Sequence, residues 1–153
     1  MNEAGAMAVS TRMPGHLIRR LHQVSTQIFL KRVHDAGFDL TPVQFAALDA
    51  LRHKPGIDQA SLAEVIAKDR ATIGAVVSRL EQKGLVKRVV SARDKRARVL
   101  TLTDEGEATI TALMPIVERL QKEILPGLSE AEYRQFIALA AKAAQAADRI
   151  GED

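Results

Sequence analysis

The segment from Asp69 to Thr103, DRATIGAVVSRLEQKGLVKRVVSARDKRARVLTLT, restricts this chain more than any other. Ile73, Val76, Val77 and Leu80 recur at helical spacing, Asp69 suits the N-cap, and Gly84 ends the run. Val86–Val90 and Val99–Thr103 are β-branched stretches flanking the polar loop SARDKRA, which predicts a two-stranded hairpin. Charge is concentrated in the same place. Arg79, Lys83, Lys87, Arg88, Arg93, Lys95, Arg96 and Arg98 face only Glu81 and Asp94, a local excess of six against +3 for all 153 residues.

The remainder reads as helix. From Pro14, Leu17, Leu21, Val24 and Ile28 form an apolar stripe widened by Ile18, Phe29 and Val33, and Gly37 closes it. Thr41, Pro42 and Gln44 make a capping box for a second helix that Pro55-Gly56 ends. Asp58 opens a short third helix through Leu62, Ala63 and Ile66, so the turn Ala67-Lys68-Asp69 separates two consecutive short helices. Beyond Thr103 the spacing predicts a helix over 104–125, with Pro115 expected to kink it. Ser129 and Glu132 then box an alanine-rich helix after the break at Leu125-Pro126-Gly127. The expected fold is mainly α with a small β-hairpin: six helices in one domain over 14–153 after a flexible 1–13. Residues 41–103 form one lobe, and helices at 14–36 and 104–148 flank it. The end helices carry more apolar positions than a small core can cover, so they are expected to meet in a homodimer.

No cysteine is present, which excludes disulfides and thiolate metal sites. The four histidines fit no metal motif, and neither a nucleophile–base pair nor a phosphate loop stands out, so neither cofactor nor enzyme activity is expected. The chain is too charged for a membrane span and opens without an apolar leader, pointing to the cytoplasm.

Two short helices joined by a tight turn make a helix-turn-helix, whose second helix enters the major groove of duplex DNA. Arg70, Ala71, Thr72 and Ala75 lie near its N-terminus, off the apolar stripe. Arg70 suits a guanine edge, the small residues let the backbone approach, and Ser78 and Arg79 suit phosphates. Arg93, Lys95, Arg96 and Arg98 sit where nothing apolar explains them, and a guanidinium on a protruding ribbon fits the narrow minor groove. Asp94 is expected to orient a neighbouring arginine through its charge. The competing reading makes these solvated surface charges.

GLVKR (84–88) followed by DKRARVLTLT (94–103), with TPVQFAALDAL and the helix pair from Asp58 to Lys83, resembles the MarR family of winged-helix regulators. The resemblance implies a winged helix-turn-helix of six helices, an obligate dimer through the first and last helices, and palindromic operators. It places Arg70, Thr72 and Ala75 at recognition-helix positions and Arg96 at the wing-tip arginine. Ala75 departs from members with a large polar residue there, and the cysteine-based peroxide sensors of the family are excluded.

Family members commonly release DNA when a small aromatic acid binds between the dimer helices and the DNA-binding lobe. His16, Arg19, Arg20 and Gln23 share one helical face and suit a carboxylate, or its thioester, with Gln44 and His53 as further donors. The PGHLIRR opening with PGIDQ at 55–59 is similar to regulators of aromatic-acid catabolism or efflux. Equally open is that these groups bond across the dimer interface or to backbone ends. A ligand-responsive repressor is the expectation; the alternative is a winged-helix module that docks on an acidic protein.

Overall fold

Each helix begins where a side chain can satisfy its orphan amides. The computed structural model describes residues 8–66 and 70–150, with the side chain of Arg70 outside that set. After a 3₁₀ turn at Val9–Arg12 come α1 (Pro14–Asp35), α2 (Pro42–His53), α3 (Gln59–Ile66) and α4 (Arg70–Gln82). Strands β1 (Val86–Val90) and β2 (Arg98–Leu102) follow, then α5 (Asp104–Ile124) and α6 (Glu130–Ile150). Both expected capping boxes form. Thr41 Oγ1 accepts the Gln44 amide at 3.2 Å while Gln44 Oε1 accepts the Thr41 amide at 3.1 Å, and Ser129 and Glu132 repeat the exchange at 3.2 and 2.9 Å. Asp58 Oδ1 accepts the Ser61 amide at 2.7 Å. The expected Asp69 cap and the Ala67-Lys68-Asp69 turn lie outside the described residues.

Glycines end two of the helices. At Gly37 (φ 89) and Gly84 (φ 75) the chain turns left-handed, and the Phe38 and Leu85 amides reach back to the Val33 and Leu80 carbonyls. Pro115 lies inside α5 without ending it, on an exposed face.

The strands pair antiparallel with Val86 opposite Leu102 and Val90 opposite Arg98. The sheet therefore starts one residue earlier than the sequence pattern suggests, and Thr103 leaves it. Its hydroxyl donates to Gly84 O at 2.6 Å and accepts the Gly106 amide at 3.0 Å, capping α5 instead of extending β2. Ile57 adds an unexpected bridge to Leu100, whose amide donates to Ile57 O at 2.8 Å. The hairpin is thus tied to the α2–α3 connection.

The core is aliphatic. Leu48, Leu51, Leu62, Ile73, Leu80, Leu100, Ile110, Leu113 and Leu120 are fully buried where α2, α3, α4, β2 and α5 converge. Phe29 and Phe45 meet edge to face at 5.9 Å. The C-terminal half of α1 joins through Phe29 and Val33; in its first half Leu17 and Ile18 remain exposed. In α6 no residue is buried, although Ile137 and Leu139 stand among its alanines.

Candidate nucleic-acid interface

Burial decides which face of α4 is offered to solvent. Ile73, Val77 and Leu80, spaced by four and three, are wholly buried, which turns Ala71, Thr72, Ala75, Ser78 and Arg79 outward. The side chain of Arg70, an expected base reader, lies outside the described residues. Gly74 packs against α3: a Cβ there would sit 3.3 Å from Gln59 Nε2.

The loop between the strands is held by its own backbone. Ser91 Oγ accepts the amides of Arg93 (3.2 Å) and Asp94 (3.4 Å), Asp94 O accepts the Ala97 amide, and Ala97 O accepts the Ser91 amide, both at 3.0 Å. Asp94 Oδ1 accepts the backbone amide of Arg96 at 3.0 Å. Asp94 therefore orders the loop through its backbone and not, as its charge suggests, by gripping a guanidinium. Ser91 is the residue that charge and periodicity pass over, although a serine two residues before a loop amide is the signature of this turn.

The eight basic residues between Arg79 and Arg98 fall into two groups. Arg88 Nε donates to Glu81 Oε1 at 2.8 Å, and Lys83 donates to Asp39 O and pairs with its carboxylate at 3.4 Å. Those two cations fasten α4 to β1 and to the α1–α2 connection. Among the described residues, none engages the side chains of Arg79, Lys87, Arg93, Lys95, Arg96 or Arg98 in a hydrogen bond or ion pair, and all six are exposed. Lys87 contributes to the charge excess, but a strand register is needed to know which way it faces. The acidic first turn of α5 (Asp104, Glu105, Glu107) suits the positive end of its own dipole.

The expected ligand residues are not all brought together. On α1, Arg19 Nη2 donates to His16 Nδ1 at 3.3 Å and Arg20 Nη1 to Gln23 Oε1 at 3.1 Å, so the four form two adjacent pairs on one face. Gln44 is buried, with its carbonyl committed to the Thr41 cap. His53 lies on a separate cavity between α2 and α3, its Nδ1 3.0 Å from Asp49 O. A second cavity of about 250 Å3 opens between α1, α5 and α6, lined by Leu21, His22, Tyr133, Phe136 and Ile137 among others. The α1 quartet lines neither. At the α1–α5 contact Arg32 grips Glu123 with two bonds of 2.7 and 2.9 Å, which hold the Glu123 carboxyl below the usual glutamate range.

Among the described residues no cluster of three metal-ligating side chains occurs, and no helix is long and apolar enough to cross a membrane.

Comparison with known proteins falls on the same elements. The sequence profile of the MarR family matches residues 38–97, from the end of α1 to the hairpin loop. Transcriptional regulator HosA of Escherichia coli O157:H7 is 37% identical over 127 residues, 83% of this chain and 91% of HosA. Two solved structures superpose at a TM-score of 0.82. One is BpsR of Bordetella bronchiseptica, studied for regulation of its DNA binding by 6-hydroxynicotinic acid, at 29% identity over 91% of this chain and 98% of BpsR. The other is the PcaV transcriptional regulator of Streptomyces coelicolor with its natural ligand, at 36% identity over 93% of this chain and 99% of PcaV.

Proposed function

The chain belongs to the MarR family of transcriptional regulators, and from that premise we propose that it is a dimeric, ligand-responsive repressor acting on a palindromic operator. The observation that carries the reading is the set of six unengaged cations at the end of α4 and along the wing, beside a recognition face of small residues. Ala71, Thr72 and Ala75 let α4 seat deeply in the major groove, with Arg70 at its leading end and Ser78 and Arg79 toward phosphate. Arg96 at the loop tip, with Arg93, Lys95 and Arg98 beside it, enters the adjacent minor groove. The backbone bonds of Ser91 and Asp94 fix the loop in advance, so less freedom is lost on binding.

Two copies join through α1, α5 and α6. A 21-residue helix with no buried residue is not stable by propensity alone in water, and its apolar positions need a cover. A two-fold dimer sets the recognition helices roughly 34–36 Å apart, one turn of duplex. His16, Arg19, Arg20 and Gln23 on the first turns of α1 take a small aromatic carboxylate, a reading supported by the ligands of BpsR and PcaV. Binding that favours a different lobe spacing couples to DNA by about 1–3 kcal/mol, or roughly 5–150-fold in operator affinity. The protein works in the cytoplasm without turning over its ligand.

The test is a titration of the purified chain against duplexes tiled across the DNA flanking its own gene, with and without an aromatic acid. One palindrome is bound well above random duplex, with affinity falling steeply in salt. Equal binding to every duplex, or retention only by an acidic protein, would instead favour the protein-docking module.

A further inference from the structure

The cavity between the outward face of α2 and the end of α3 measures about 370 Å3, near the lower end of the range for small-molecule sites. Its wall is apolar, including Ala50, Ile57 and Val65, and Val65 is 55% exposed without a cover. Its polar groups are Asp49, His53 and Lys54. Two of them are incompletely satisfied. Asp49 Oδ1 is screened from solvent yet accepts no hydrogen bond, its nearest cations being His53 Nδ1 at 3.5 Å and Arg52 Nη2 at 3.7 Å. No ion pair among the described residues holds the Lys54 ammonium. A dry acceptor lacking a donor calls for an O–H or N–H, and an unpaired ammonium calls for an anion.

We propose that this cavity is a second small-molecule site, built for a monocyclic aromatic acid that carries a ring hydroxyl. The carboxylate pairs with Lys54, the hydroxyl donates to Asp49 Oδ1, and the ring lies on Ala50, Ile57 and Val65. The site is separate from the quartet on α1. It touches both DNA-facing elements of the lobe. Ile57 is hydrogen-bonded to Leu100 of the wing, and Ile66, also on the wall, ends the helix that leads into α4. Occupancy therefore reaches the wing and the recognition helix without passing through α1. Only this regulatory consequence rests on the DNA-binding reading; the binding itself does not.

The experiment is calorimetry on the full chain with 4-hydroxybenzoate as probe, alongside backbone amide shifts. Four proteins are compared: the parent, Arg19→Ala with Arg20→Ala, Val65→Phe, and Lys54→Met. Val65→Phe fills the cavity from its exposed rim, and Lys54→Met removes the cation without altering the wall, so one variant remains if the other misfolds. The α1 double variant is expected to keep a site, with shifts centred on Ala50, Ile57 and Val65. Val65→Phe and Lys54→Met should each weaken that site by roughly tenfold or more. Parent-like binding in both cavity variants, complete loss in the α1 variant, or no heat in the parent up to roughly 1 mM probe would each overturn the proposal. Operator binding is scored separately, so its failure would strike the DNA-binding reading while calorimetry still decides the cavity.

Discussion

Gly106→Ala places a methyl group where the chain has no room for one. Gly106 is buried in the first turn of α5, and a Cβ there would lie 2.1 Å from Leu85 O, 3.0 Å from Leu85 C and 3.4 Å from Leu102 Cδ2. The obstructing atom is a backbone oxygen already accepting the Thr103 amide at 3.0 Å, so it cannot swing aside as a side chain would. Relief requires α5 to withdraw by about 1 Å, which strains the Thr103 cap and the packing of Ile110 beneath it. Overpacking of this kind costs about 1–3 kcal/mol, and loss of the cap about 1 more. The better helix propensity of alanine returns at most about 1 kcal/mol. A net loss of about 2 kcal/mol follows, or a fall of roughly 4–8 °C in Tm for a chain this long. Gly15→Ala is the control, because a Cβ at that exposed position on α1 would meet nothing within 4 Å. The assay is urea unfolding followed by circular dichroism at one fixed protein concentration, since dimerisation shifts apparent stability. If Gly106→Ala unfolded at the same urea concentration as Gly15→Ala, the close approach of α5 to the α4–β1 turn would not be rigid and the reasoning would fail.

Arg96→Ala should weaken operator binding about a hundredfold or more with little change in melting, because the residue is exposed and two copies act in a dimer. The salt slope should flatten by about 2, and an unchanged slope would remove the wing tip from the interface. Ile137→Glu puts a charge on the uncovered face of α6 and should raise dimer dissociation by about 3 kcal/mol, over a hundredfold, while each chain stays folded. Sedimentation showing an intact dimer would move the interface elsewhere. The pH response of α6 follows from Glu132, whose carboxyl is held below its ordinary 4.5 by the Ser129 amide and hydroxyl. A carboxyl lowered on folding stabilises above its unfolded value and ceases to do so as pH falls through the folded one. Helicity should therefore drop as the pH is taken below about 4.5, and Glu132→Gln, which keeps the box without a charge, should blunt that drop.

The helix starts, the two boxed caps and the hairpin were readable from residue types, because capping and β-branching act within a few residues of the chain. The same holds for the aliphatic core stripe on α4 and for the concentration of positive charge. What could not be read was which polar groups would be used up. Lys83 and Arg88 look like Lys87 and Arg98 in sequence, but the first two are fastened to Asp39 and Glu81, and only the folded chain brings those partners near. Asp94 bonds the Arg96 backbone amide because the loop closes on itself. Thr103, a strand residue by its pattern, becomes a cap once Gly84 and Gly106 converge on its hydroxyl. His53 shares a cavity with Lys54 and Val65 and not with the α1 quartet, since α2 turns it toward α3. Local pattern thus determined the elements and the charge they carry. Tertiary structure alone decided which charges remain free to meet a partner, because ion pairs and close approaches form between residues tens of positions apart.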